Sequence, residues 1–128
     1  NIYRKGRKTF ALAWHARTPE ALHEWRKQTK YLHIAAQALR DAGGRHLRKA
    51  VEGAGDIADA LGDDHDLAAL RAEIGRAGMT ENEAAALRMC IDERQTKLQQ
   101  RALSRGMKLF AKKPKKFMAR LSKTKCEG

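Results

Sequence analysis

Apolar residues recur at steps of three and four along nearly the whole chain, and no stretch alternates apolar and polar residues in the β-branched manner of a strand. That spacing commits the chain to helices that each bury one stripe. Only two prolines interrupt it, Pro19 and Pro114, and both fall where a helix can begin. The expected fold is all-α, an antiparallel bundle of about four to six helices joined by short connections. At 128 residues the chain is long enough for one domain, spanning residues 1–128, with a single core.

The stripes and stop signals divide the chain further. The first helix is expected over residues 1 to 17, with Tyr3, Phe10 and Trp14 on one side. Thr18-Pro19-Glu20 then supplies an N-cap, a proline at the first helical position and an acid in the first turn. A second helix follows over residues 19 to 41 and stops at Gly43-Gly44; its packing stripe is Leu22, Trp25, Thr29, Leu32, Ala36 and Leu39. A third, 45 to 61, ends at Gly62, and Asp63 caps a short fourth that buries Leu67, Leu70 and Ile74. Thr80 and Glu83 have capping-box spacing and open a long fifth helix with Leu87, Ile91, Leu98, Ala102 and Leu109 inward, subject to a bend at Gly106. A last amphipathic segment follows Pro114, with Phe117 and Leu121 inward and Lys116, Arg120 and Lys123 outward.

Charge narrows the function. The chain carries 27 Lys and Arg against 15 Asp and Glu, a formal charge of +12. By segment the balance is +9 over residues 1–50, −8 over 51–93 and +11 over 94–128. Two basic blocks around an acidic one point to a polyanionic partner, with part of the acid neutralising its neighbours. No run reaches the roughly 18 apolar residues of a membrane span, and nothing at the start reads as a signal peptide. The chain opens on Asn1 in place of Met, as a trimmed protein or a segment of a longer one would. Cys90 and Cys126 fit neither a disulfide framework nor a CxxC metal motif, so a reducing cytoplasmic setting is expected, with Cys90 a small buried filler.

The sharpest motif is Leu22-His23-Glu24-Trp25-Arg26-Lys27, continued by Lys30 and His33. On a helix, His23, Arg26, Lys27, Lys30 and His33 form a ladder beside the apolar stripe, rising about 15 Å from end to end. Such a ladder meets several successive anionic groups, Arg through two-pronged donation and Lys as a point charge. The first helix repeats the device with Arg4, Arg7, Lys8 and His15, and packing the two helices together is expected to make one cationic groove. In Asp63-Asp64-His65-Asp66, four adjacent positions cannot all point at one ion, so capping or orienting basic residues is favoured over metal binding.

His23-Glu24-Trp25-Arg26-Lys27 with Lys30, followed by Leu61-Gly62-Asp63 with Asp66, resembles the CHAD family, the conserved histidine α-helical domain. The opening Tyr3-Arg4-Lys5-Gly6-Arg7 and the closing Lys113-Pro114-Lys115-Lys116-Phe117 are similar to its flanking segments. The resemblance implies a non-catalytic helical domain that binds inorganic polyphosphate in a basic central channel, without a cofactor or bound metal. His23, Arg26, Lys27 and Lys30 would line the channel with Arg4 and Arg7, and Lys8 and His33 extend the set. His65, Asp66, Lys112 and Lys116 would support it.

Two departures stand out. His33 occupies a position where the family commonly has Arg. The family is built of two related halves about a pseudo-twofold axis, and this chain resembles the C-terminal one. The channel would then be completed by a missing N-terminal half or by a second copy, and the open basic face favours the homodimer. Cytoplasmic polyphosphate granules are the expected location. Two other readings compete: a non-specific nucleic-acid binder, disfavoured by aromatics at 5% of the chain, and a metal-dependent HD-type phosphohydrolase built on His65-Asp66. The lysines of residues 112–125 could also form a solvated tail on acidic lipid or granule surfaces.

Overall fold

The computed structural model describes the backbone of residues 1–41 and 44–127 and the side chains up to Leu121. Among these residues there are five α-helices, α1 (Ile2–Ala16), α2 (Pro19–Ala38), α3 (Arg45–Glu73), α4 (Glu81–Leu109) and α5 (Pro114–Glu127), and no strand. The fold is the all-α antiparallel bundle that the apolar spacing dictates.

Three of the helices, α1, α2 and α4, start on a side-chain cap. The Asn1 side chain accepts from the amides of Tyr3 and Arg4, and Thr18 Oγ1 accepts from Ala21 at 3.1 Å with Pro19 behind it. At Thr80 the capping box is complete. Its hydroxyl accepts from the Glu83 amide at 3.2 Å while the Glu83 carboxylate accepts from the Thr80 amide at 3.0 Å.

Helices α1 to α4 share one core. Tyr3, Phe10 and Ala13 of α1 meet Leu22, Trp25 and Leu32 of α2, Ala54, Ile57 and Leu61 of α3, and Leu98, Ala102 and Leu103 of α4. Trp25 is fully enclosed, packed against the Phe10 ring with centroids 5.2 Å apart. At the far end of the bundle Tyr3 ties α1 to the α4–α5 corner. Its hydroxyl donates to the carbonyls of Lys112 at 2.6 Å and Leu109 at 3.2 Å, and its ring stacks on Phe117 at 3.8 Å. Burial raises the Tyr3 pKa, while the Arg7 charge and the bond to Lys112 act the other way.

Several expected boundaries move. Gly62 does not end a helix: α3 runs unbroken for 29 residues through it. The glycine penalty, about 1 kcal/mol, is outweighed because α4 lies alongside α3, with Leu61 in the shared core just before the glycine and Asp64 bonded to Gln99 of α4 just after it. Asp63 is therefore an exposed mid-helix residue and caps nothing, whereas Asp64 is buried and accepts from Gln99 Nε2 at 3.0 Å. Helix α2 stops at Ala38, short of residue 41, where Leu39 and Arg40 bond back three residues in a tightened turn. Leu39 then leaves the packing stripe and is exposed, as is Leu70. Trp14 lies at the edge of the core and not within it. Gly43 and the side chains of Lys123 and Cys126 lie outside the described residues, and Cys90 is exposed where a buried filler was expected.

The length of α3 and α4 has a consequence for shape. A separate apolar cluster of Ile74, Ala84 and Ile91, with Leu67 and Leu87 against it, is built from α3, its terminal turn and α4 alone. The two long helices thus continue past α1 and α2 as a hairpin.

Candidate functional site

The α2 ladder meets α3 in antiparallel register. The His23 ring lies beside that of His65 with centroids 5.9 Å apart, and Arg26 lies over Gly62. His33 lies over Gly55. Steps of three and seven along α2 are matched by steps of three and seven back along α3, so these contacts mark one continuous groove. Of the two glycines under these side chains, Gly55 is the one that gives room. A Cβ on Gly62 would sit 3.5 Å from the Arg26 guanidinium, and one on Gly55 would sit 3.0 Å from the imidazole of His33.

Within this groove Arg26 and His33 differ in what they can offer. The ring of His33 is half-buried with Nδ1 3.0 Å from the carbonyl of Val51, an atom that only accepts, so Nδ1 carries the proton and Nε2 is left for other partners. Arg26 Nε is buried with no hydrogen-bond partner. A guanidinium so placed is held by packing and has donor capacity left for an anion. Lys30, one turn beyond Arg26 on the same side of α2, is exposed.

At the His23 end the groove opens into a cleft of about 280 Å³ lined by Arg17, His23, Arg26, Asp64, His65 and Arg71, with Gln95 and Gln99 of α4 across it. Arg71 pairs with Asp92, and one oxygen of the Asp64 carboxylate accepts from Gln99, so Asp64 is the one acid whose charge remains among the cations of the cleft. Sequence reasoning missed two of these cations. Arg17 reaches the cleft because it closes α1 in the left-handed conformation, φ 50°. Arg71 lies seven residues after Asp64, on the same face of a continuous helix, a signal hidden once Gly62 is taken as a terminus.

The remaining candidates lie elsewhere. Lys27 projects to the opposite flank of α2, 4.0 Å from Glu24, and lines a shallow groove with Lys5, Tyr31 and Ile34 between α1 and α2. Arg4, Arg7 and Lys8 line a hollow at the α1–α4 corner with Phe110 and Pro114, where Arg7 Nε donates to the Phe110 carbonyl at 3.1 Å. The cations of the first two helices are therefore not gathered beside one seam. The core stripe of α1 separates Lys5, on its α2 flank, from Arg4, Arg7 and Lys8 on the flank towards α4. Asp66 is exposed on the outer acidic side of α3 with Asp59 and Asp63. Lys112 borders a cleft between α3, α4 and α5, and Lys116 belongs to a lysine patch with Lys113 and Lys115.

Antiparallel helices presenting three histidines and an arginine in a groove floored by glycines define an all-α bundle with a cationic interhelical groove. The CHAD domain model matches residues 1–75, a span that contains the whole α2–α3 groove, and the chain belongs to the CHAD domain family. The match stops before α4, so the closing lysine segment of residues 113–117 has no part in it. No curated protein and no solved structure matches the chain. Among the described residues no helix is long and apolar enough to cross a membrane.

Proposed function

We propose that the chain is a non-catalytic module that binds inorganic polyphosphate along the α2–α3 groove. The observation that carries the reading is the convergence of Arg17, His23, Arg26, His65 and Arg71 on one cleft, continued along α2 by Lys30. Membership of the CHAD family supports the same ligand, and the length of the groove fits it. The ten helical steps from His23 to His33 span about 15 Å, room for several linked phosphoryl groups. Each charge-assisted bond to phosphate contributes roughly 1.5–3 kcal/mol. A second copy, or a further helical half, would close the open side of the groove, and a cytoplasmic polyphosphate granule is the setting such a module would serve.

The test is a calorimetric titration with polyphosphate of increasing chain length. Affinity is expected to rise with length, and Arg26→Gln/Lys30→Gln is expected to weaken binding at least about tenfold. Binding independent of chain length, or undiminished in that variant, would overturn the reading. Nucleic acid is the second outcome: if single-stranded DNA displaces polyphosphate at lower phosphate concentration than the reverse, the groove belongs to a nucleic-acid backbone.

A further inference from the structure

A second cleft, about 430 Å³, opens on the opposite flank of α3, between α3, α4 and α5. Its floor is apolar, made by Ala50 and Gly53 of α3, Leu109 of α4, and Phe117 and Leu121 of α5. Its rim is basic. Lys49, Lys108, Lys112 and the half-buried His46 all border it. Acids at the mouth only partly offset that rim: Asp56 is shared between Arg101 at 3.7 Å and Arg105 at 3.5 Å, which leaves Glu52, with no ion pair among the described residues, as the one carboxylate facing three lysines. Lys49, Lys108 and Lys112 make no ion pair among the described residues. The crowding of charge is felt by His46, whose pKa is lowered by partial burial and then by the charges of Arg120, Lys112, Lys49 and Arg45. The corner that shapes the cleft is fixed in advance by the Tyr3 hydroxyl on the carbonyls of Leu109 and Lys112.

A cleft of this volume is in the range of small-molecule sites, which combine an apolar lining with a few convergent polar groups. Inorganic phosphate or polyphosphate would satisfy the rim and leave the floor wet. An uncharged apolar molecule would cover the floor and leave several cations unmatched. A dianionic head matches that rim better than a single carboxylate does.

We propose that the α3–α4–α5 cleft binds an organic phosphate monoester, its phosphate held by Lys49, Lys108, Lys112 and His46 and its apolar or planar body seated on Gly53, Leu109, Phe117 and Leu121. The site is separate from the groove that receives polyphosphate. Two sources share this chemistry, an alkyl or acyl phosphate and a nucleoside monophosphate, and they differ in the body laid on the floor.

Calorimetry on the full chain with octyl phosphate, adenosine monophosphate, octanol and inorganic phosphate separates them. At least one organic phosphate is expected to bind one-to-one and about tenfold or more tighter than inorganic phosphate. The tighter of the two identifies the body as alkyl chain or base. Lys49→Gln/Lys108→Gln should weaken it about tenfold. Gly53→Leu should fill the floor without disturbing the helix, since a Cβ there meets Leu109 at an ordinary 3.8 Å, and should reduce the organic ligand to the affinity of inorganic phosphate. Retained helical circular dichroism establishes that both variants fold. Inorganic phosphate or octanol binding as tightly as both organic phosphates would overturn the proposal, as would unchanged affinity in both folded variants.

Discussion

His46 shows how a single side chain reports the charge around it. Partial burial and the neighbouring Arg120, Lys112, Lys49 and Arg45 keep its imidazole below the ordinary value of 6.5 in the folded chain. The unfolded chain titrates near 6.5, so below that pH it holds a proton that the folded chain resists, and stability falls as pH falls through about 6.5. Above it His46 is neutral in both states and contributes no pH dependence. Glu52 and Asp56, the acids that face the same cleft, oppose the effect while they remain ionised. Urea midpoints measured from pH 7.5 to pH 5 should therefore decline less steeply for His46→Gln than for the parent chain. Equal slopes would mean that the cations around His46 are too well screened to matter. A bound phosphate monoester is expected to reverse the sign by raising the imidazole pKa, and an NMR titration of the His46 ring reads that shift directly.

At the scale of the element, glycines divide into those that shape contacts and those that merely occupy a helix. Gly106 belongs to the first kind. A Cβ there would lie 2.6 Å from the Phe10 ring and 2.8 Å from that of Trp25, and neither ring can retreat because Trp25 is fully enclosed and Phe10 is stacked on Phe110. Gly106→Ala should destabilise the bundle by about 1–3 kcal/mol through overpacking, although helix propensity alone favours Ala by about 1 kcal/mol. Gly62→Ala meets Arg26 at an ordinary 3.5 Å and should leave stability unchanged or raise it by up to about 1 kcal/mol. Thermal melts of the two variants moving in the same direction would contradict this account. The same pair shows what the sequence could and could not reveal. Apolar spacing and the caps at Thr18 and Thr80 locate the starts of α2 and α4 because those signals are local. Gly62 looks like a terminator by composition, and only the long contact with α4 carries α3 through it. The ladder of His23, Arg26, Lys30 and His33 is legible as one flank of α2. Which neighbour lies on that flank depends on the handedness of the bundle, and helix periodicity carries no information on handedness. Lys27, Arg4, Arg7 and Lys8 were therefore expected in one groove and are found on two others.

The whole molecule disposes its net charge of +12 over several surfaces. Lysines and arginines border the α1–α2 groove, the α1–α4 hollow, the α2–α3 groove and the α3–α4–α5 cleft, while Asp59, Asp63 and Asp66 line the outer face of α3. Such a distribution attracts a polyanion from several sides but holds it only where cations sit within a turn of one another along a groove. For the polyphosphate binding proposed above, salt dependence distinguishes attraction from holding. Each cation in contact contributes about 0.7 to the slope of log affinity against log salt, taking single-stranded nucleic acid as the guide. Removing two contacting charges with Arg26→Gln/Lys30→Gln should flatten the slope by about 1.4. Removing the same number from the α1 hollow with Arg4→Gln/Lys8→Gln lowers the net charge equally, and should slow association while leaving the slope unchanged. If the two variants flatten it alike, the chain wraps polyphosphate over its whole basic surface and no single groove selects it.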